Sequence, residues 1–256
     1  MSEILSVKSD ENAENELDRL SDVYDNSNYF ALENRLMMEH YASILEALYK
    51  DQDKSCLDLG IGLGVTPVVF SKLFKKYTIV EGSQVIIDRL KSDYGEIGAE
   101  IICSYFEDFE TDKKYDVIIM GFVLEHVDDP RKILKRFNRF LENDGQIFIV
   151  LPNYAQLNRR IGQMMGLIET TKFFTDNDKK LGHKTLFDVE SIKALISSAG
   201  LYIHRIEGIY MKPITTEQIK LLGLGEDFLR ALVAVGKDYP ELSAAIIAIC
   251  GKNEGE

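Results

Sequence analysis

Seven residues stand where chemistry could be done. Asp58 ends an apolar run and is followed by Gly60, Gly62 and Gly64 at alternate positions. Glu81 ends a second apolar run. His126 follows a third, and His183 lies in a polar stretch far downstream. Acid, bare glycine backbone, acid is a turn that lets a ligand approach closely, with Glu81 able to accept two hydrogen bonds from ribose hydroxyls. A histidine has an ordinary pKa near 6.5 and suits proton transfer at neutral pH.

The glycine spacing narrows the ligand. A dinucleotide turn wants its third glycine at position 65, which is Val65. A P-loop wants Gly-Lys-Ser/Thr, where this chain has Gly64-Val65-Thr66. Asp58 would repel a pyrophosphate and suits a ligand carrying an ammonium or sulfonium group. A nucleoside that is cationic at its other end is S-adenosylmethionine.

The elements that must position these residues alternate strictly. Strands are expected at 54–59, 76–81, 99–104, 116–120 and 146–151, with helices at 66–75, 84–94 and 129–141 between them. That pattern predicts an α/β fold with a doubly wound, mostly parallel sheet. A helix over 33–49 precedes the first strand, and a short helix is expected within 16–24, before a loop at 25–28. After Pro152 the alternation stops until about Lys184, and a long insertion is more often functional than not. A helix at 188–199, a strand at 201–210, a helical stretch at 215–235 broken near Gly223, and a last strand at 243–250 complete the chain. The organisation expected is an N-terminal helical cap over 1–50 and a Rossmann-like domain over 51–256. Helical insertions are expected at 153–184 and 213–240.

Composition sets the remaining bounds. Of 256 residues, 45% are hydrophobic and 28% charged, enough for a sizeable core. A net charge of −12 repels phosphate backbones and argues against nucleic-acid partners. The start lacks the basic and apolar pattern of a leader, no run is long enough to span a membrane, and a cytoplasmic location is expected. The basic run from Arg131 to Arg139 reads as a solvated helix face. Cys56, Cys103 and Cys250 lie in strand-like runs and are expected to be buried thiols, with no disulfide or zinc site. No metal cluster is evident.

Four segments in order resemble the class I S-adenosylmethionine-dependent methyltransferases, in a small-molecule or sugar-type subgroup. Those four are 57–64, Glu81, Ser104-Tyr105-Phe106-Glu107-Asp108, and the stretch from Asp116 to Val127; the likeness to the subgroup rests on Leu151-Pro152-Asn153 through Phe187 and on Met211-Lys212-Pro213. The resemblance implies the sheet order 3-2-1-4-5-7-6 with strand seven antiparallel. It implies that Asp58, Gly60 and Gly62 line the methionine end of the cofactor, that Glu81 with Gly82 holds the ribose, and that Phe106 and Glu107 flank the adenine. Gly121, beside Phe122, would offer a carbonyl to the ammonium group.

The acceptor is expected to be a small molecule, anionic or nucleotide-linked, with a sugar hydroxyl in surface-polysaccharide synthesis as first choice. Quinone-type, natural-product or phosphonate-like acceptors are the alternative, and a non-catalytic cofactor-binding partner is the alternative of another class. His126 and His183 are the candidate bases, though either could instead be structural. Asn153, Arg159, Arg160 and Tyr29 are candidate acceptor contacts. A homodimer is left open.

Overall fold

Val117-Ile118-Ile119-Met120 is fully buried, and only a strand covered on both faces needs such a run. In the computed structural model, which describes residues 29–252, this run lies in the centre of a seven-stranded sheet. The strands are β1 (Ser55–Leu59), β2 (Lys76–Glu81), β3 (Glu100–Cys103), β4 (Tyr115–Gly121), β5 (Leu141–Pro152), β6 (Tyr202–Ile209) and β7 (Ala245–Gly251). Their order is β3-β2-β1-β4-β5-β7-β6, as the resemblance implies. β7 runs antiparallel to both neighbours, and the other pairs are parallel.

The pleat divides the core in two. Leu57, Leu59, Ile118, Met120, Ile147 and Ile149 face helices α4 (Pro130–Asn138) and α7 (Val189–Ser198). Cys56, Ile79, Val117, Ile119, Phe148 and Val150 face α1 (Tyr29–Tyr49), α2 (Val65–Leu73), α3 (Gln84–Tyr94), α8 (Thr216–Leu221) and α9 (Glu226–Gly236). α1 is therefore no separate layer. Its Tyr41, Leu45 and Tyr49 are buried in one cluster with Phe70 and Phe148.

Local chemistry sets the element ends. Asp129 caps α4 through Lys132 N, with Pro130 at its first position. Ser83 caps α3 through Ile86 N. The insertion holds α5 (Leu157–Met164) and α6 (Asp176–Lys180).

Several expectations shift. The helix expected to reach Leu141 ends at Asn138, because Leu141 pairs with Tyr115 and starts β5 early. A register shift then brings Val117 opposite Gln146. Cys103 is exposed, because β3 is the sheet edge, while Cys56 and Cys250 are buried as expected. No helix among the described residues is long and apolar enough to cross a membrane. The short helix expected within 16–24 and the loop at 25–28 lie outside the described residues.

Candidate active site

A cavity of about 600 Å³ opens at the C-terminal edge of the parallel strands. One end is the glycine turn between β1 and α2. Gly60, Gly62 and Gly64 all have left-handed backbones, with φ of 81°, 55° and 77°. Their tasks differ. A side chain at Gly64 would meet the Tyr94 ring at 2.9 Å, so Gly64 lets α2 and α3 pack. A side chain at Gly62 would meet nothing within 4 Å, and Gly62 lines the cavity beside Gly60.

Glu81 lies across from this turn, buried and lining the cavity. Its carboxylate accepts from Ile61 N at 3.0 Å and Ser83 N at 2.8 Å, which fixes its direction. Burial raises its pKa, and the N–H groups of Ser83, Ile61 and Gly82 oppose that rise. Gly82 thus serves Glu81, and does not itself line the cavity. Phe106 lines it and meets Phe137 edge-to-face, ring centroids 6.4 Å apart. Gly121 and Phe122 line it at the end of β4, with Phe122 in a left-handed conformation at φ 57°. A side chain at Gly121 would lie 2.9 Å from the Tyr41 hydroxyl.

Two residues expected at this end stand elsewhere. Glu107 is exposed and lines no part of the cavity. Asp58 is buried and also outside the lining. Leu57 and Leu59 face the α4 side, so the pleat turns Asp58 to the other face, where Tyr77 donates to it at 2.6 Å. Burial pushes the Asp58 carboxyl up to about 7, against the hydrogen bonds from Tyr77 and Leu59 N.

The cavity lining also brings together residues far apart in sequence. His126 and His183 both line the cavity, their rings edge-to-face at 4.9 Å. His183 Nδ1 lies 3.1 Å from Asp178 Oδ1. Asp178 is in turn held by Arg159 at 3.0 Å and by the Thr175 backbone N and hydroxyl, both at 2.7 Å. Burial would raise the Asp178 carboxyl, but hydrogen bonds from His183 and Thr175, with the Arg159 charge, hold it well below the usual range. Burial, then the neighbouring His183, brings His126 down to about 4, with the Leu181 and Gly182 carbonyls opposing.

Glu125 is 1% exposed, and burial pushes it up to about 8. One ligand-type atom from each of Glu125, His126 and His183 lies within 4.8 Å of the others, a grouping not expected from the sequence. An imidazole pair of this kind can orient a hydroxyl and handle its proton.

A third wall comes from α1 and the segment after β6. Glu33 is buried and accepts from the Tyr210 hydroxyl at 2.5 Å, Lys212 Nζ at 2.8 Å and Thr216 Oγ1 at 2.7 Å. All four line the cavity. Neither Glu33 nor Asp178 was singled out in the sequence. Each finds its partners only through folding, though Thr175-Asp178 has the spacing of a capping box.

The remaining expected acceptor contacts divide. Arg159 lines the cavity, but its guanidinium is committed to Asp178 and the carbonyls of Thr171 and Phe173. Arg160 does not line it, and donates to the Ala155 and Glu241 carbonyls. Asn153 is fully buried away from it. Its amide donates to Ser243 O at 2.9 Å and accepts from Ala155 N at 2.8 Å. Adjacent helical positions diverge, and this sends Arg159 inward and Arg160 out. The Tyr29 side chain lies outside the described residues.

The residues at the glycine end fit S-adenosylmethionine. An acceptor-only carboxylate faces the space that Gly62 leaves bare, which suits a ribose diol. The cations lining the cavity, Arg159 and Lys212, are paired with Asp178 and Glu33.

Comparison with known proteins agrees. Residues 32–206 match the family model described as "Methyltransferase domain". An (S)-coclaurine N-methyltransferase of Papaver somniferum is 24% identical over half of this chain, and the match spans only 39% of that enzyme. A ubiquinone biosynthesis O-methyltransferase of Coxiella burnetii is 24% identical over 64% of this chain and 70% of its own length. Among solved structures, the plantazolicin methyltransferase BpumL, in complex with a monoazolic desmethylPZN analog and SAH, superposes with a TM-score of 0.60. It is 21% identical, over 95% of this chain and 92% of that one. A possible histamine N-methyltransferase of Thermotoga maritima superposes at 0.58, with 18% identity over 93% and 95%. Sheet order, glycine turn, Glu81 and the family match converge, and the chain belongs to the class I S-adenosylmethionine-dependent methyltransferases.

Proposed function

We propose that the chain methylates a hydroxyl of a small, neutral, ring-bearing molecule. One observation carries this reading. One cavity is lined both by Glu81 and Gly62 and by the imidazoles of His126 and His183. When bound, S-adenosylmethionine supplies a methyl group already activated on a sulfonium. The chain's own task is alignment and proton handling. Glu81 would hold the ribose hydroxyls, Phe106 the adenine side, and the Gly121 carbonyl the ammonium group. The acceptor hydroxyl would dock at the imidazole pair, with Asp178 fixing His183 so that Nε2 is left for the cavity.

Arg159 and Lys212 are each tied to a buried carboxylate, which favours a neutral acceptor over the anionic one expected from sequence. A sugar hydroxyl is the first acceptor to test. Met37 and Met38, which line the cavity, favour a phenol-type ring as the second.

The test is label transfer from S-adenosylmethionine to a panel of sugars, phenols and amines. Turnover of a hydroxyl acceptor, reduced about 100-fold in His183→Ala with unchanged S-adenosylhomocysteine affinity, is the expected result. Methylation at nitrogen alone, or full turnover by His183→Ala, would overturn it.

A further inference from the structure

Glu125 presents an unusual problem for a buried side chain. It is 1% exposed, and its Oε2 has no hydrogen-bond partner. A buried carboxylate oxygen without a partner is costly, and such groups call for an explanation. Nδ1 of the adjacent His126 is also buried and unpartnered. The contact from His126 Nε2 to Glu125 Oε1, 4.0 Å, is too long for a hydrogen bond.

The third member comes from the insertion. His183 gives Nδ1 to Asp178, which leaves Nε2 as its remaining nitrogen. A carboxylate behind an imidazole is the usual device for orienting a metal-binding histidine. Asp178 is itself locked by Arg159 and Thr175, so this support is rigid. The backbone holds the two halves together, because Lys184 N and Thr185 N donate to Glu125 O at 2.7 and 3.1 Å.

We infer that Glu125, His126 and His183 form a binding site for one divalent first-row transition-metal cation, open toward the cavity where an acceptor hydroxyl completes the coordination. Two imidazoles and one carboxylate are a borderline donor set, better suited to manganese, iron, cobalt or zinc than to calcium. Donors on one such ion stand roughly 3 to 3.5 Å apart, given bonds of about 2.1 Å. Atoms now within 4.8 Å of one another must close by at most about 1.8 Å to share one ion. The inference rests on reading this wall as the acceptor side, and it gives the imidazoles their work there as ligands.

Cobalt(II) is the probe, added to metal-stripped full-length protein and followed by visible ligand-field absorption and calorimetry. One cobalt per chain is expected. Glu125→Gln and His183→Ala each weaken it about 100-fold or more, and Asp178→Asn about 10- to 100-fold. S-adenosylhomocysteine binding by the same variants reports that they are folded. No saturable cobalt binding to the wild type, or binding unchanged in Glu125→Gln and His183→Ala, overturns the site. Full turnover of a hydroxyl acceptor by stripped protein, lost in His183→Ala, overturns the cation while leaving the methyl-transfer reading intact. Cobalt binding as expected with no hydroxyl acceptor methylated supports the cation and removes that reading.

Discussion

The Tyr77 hydroxyl donates to the Asp58 carboxylate across 2.6 Å, inside the core and away from the cavity lining. The penultimate residue of the first strand is thus tied to its neighbour strand. Asp58→Ala strands a buried hydroxyl, and the expected cost is about 1 to 3 kcal/mol of stability. Cofactor affinity should fall less in Asp58→Ala than in Glu81→Ala, whose carboxylate faces the cavity. Denaturant unfolding together with S-adenosylhomocysteine calorimetry measures both. A stable Asp58→Ala with abolished binding would return Asp58 to the cofactor.

The same pair gives the protein a pH signature. Burial raises the Asp58 carboxyl from its ordinary 3.8 to about 7. Between these values the folded state holds a proton that the unfolded state has released. Asp58 therefore makes stability fall as pH rises through that window. Asp58→Asn can still accept from Tyr77 and carries no charge. Unfolding midpoints taken from pH 4 to 8 should decline less steeply in Asp58→Asn than in the wild type. Parallel slopes would show that Asp58 titrates normally.

Gly62 and Gly64 should fail in different ways. Alanine at either position carries a left-handed backbone cost of about 1 to 2 kcal/mol. At Gly64 the methyl also presses on Tyr94 at 2.9 Å and Leu90 at 3.1 Å. Gly64→Ala is expected to lose more stability, and Gly62→Ala, at the cavity lining, to lose more S-adenosylhomocysteine affinity. Thermal unfolding and calorimetry on both variants check the contrast, and equal losses in both properties would refute it.

The sheet was legible because its central strands are nearly continuous apolar runs and the turn after β1 carries glycines, features written locally in the chain. Glu81 was legible for the same reason, standing one strand after the turn. Asp58 was placed correctly along its strand but on the wrong side, since the face of a pleat depends on what packs against it. Asn153 and Arg160 were polar residues near the right edge of the sheet, and nothing local shows that backbone carbonyls at 240–243 absorb them. Glu33 meets Lys212 across 179 positions of sequence. A buried ion pair of that separation leaves no periodic trace.

Asn153 and Phe187 stand side by side in a parallel bridge, and Tyr154 N donates to Phe187 O at 2.9 Å. The excursion between them leaves and re-enters at one point. To the sheet its length is almost indifferent, since doubling such a loop costs only about 0.6 kcal/mol. Asp178 and His183 travel with this removable piece, whereas Glu125 and His126 stay on the scaffold. Exchange of one segment could therefore renew half of the proposed acceptor wall while the glycine turn and Glu81 are inherited unchanged.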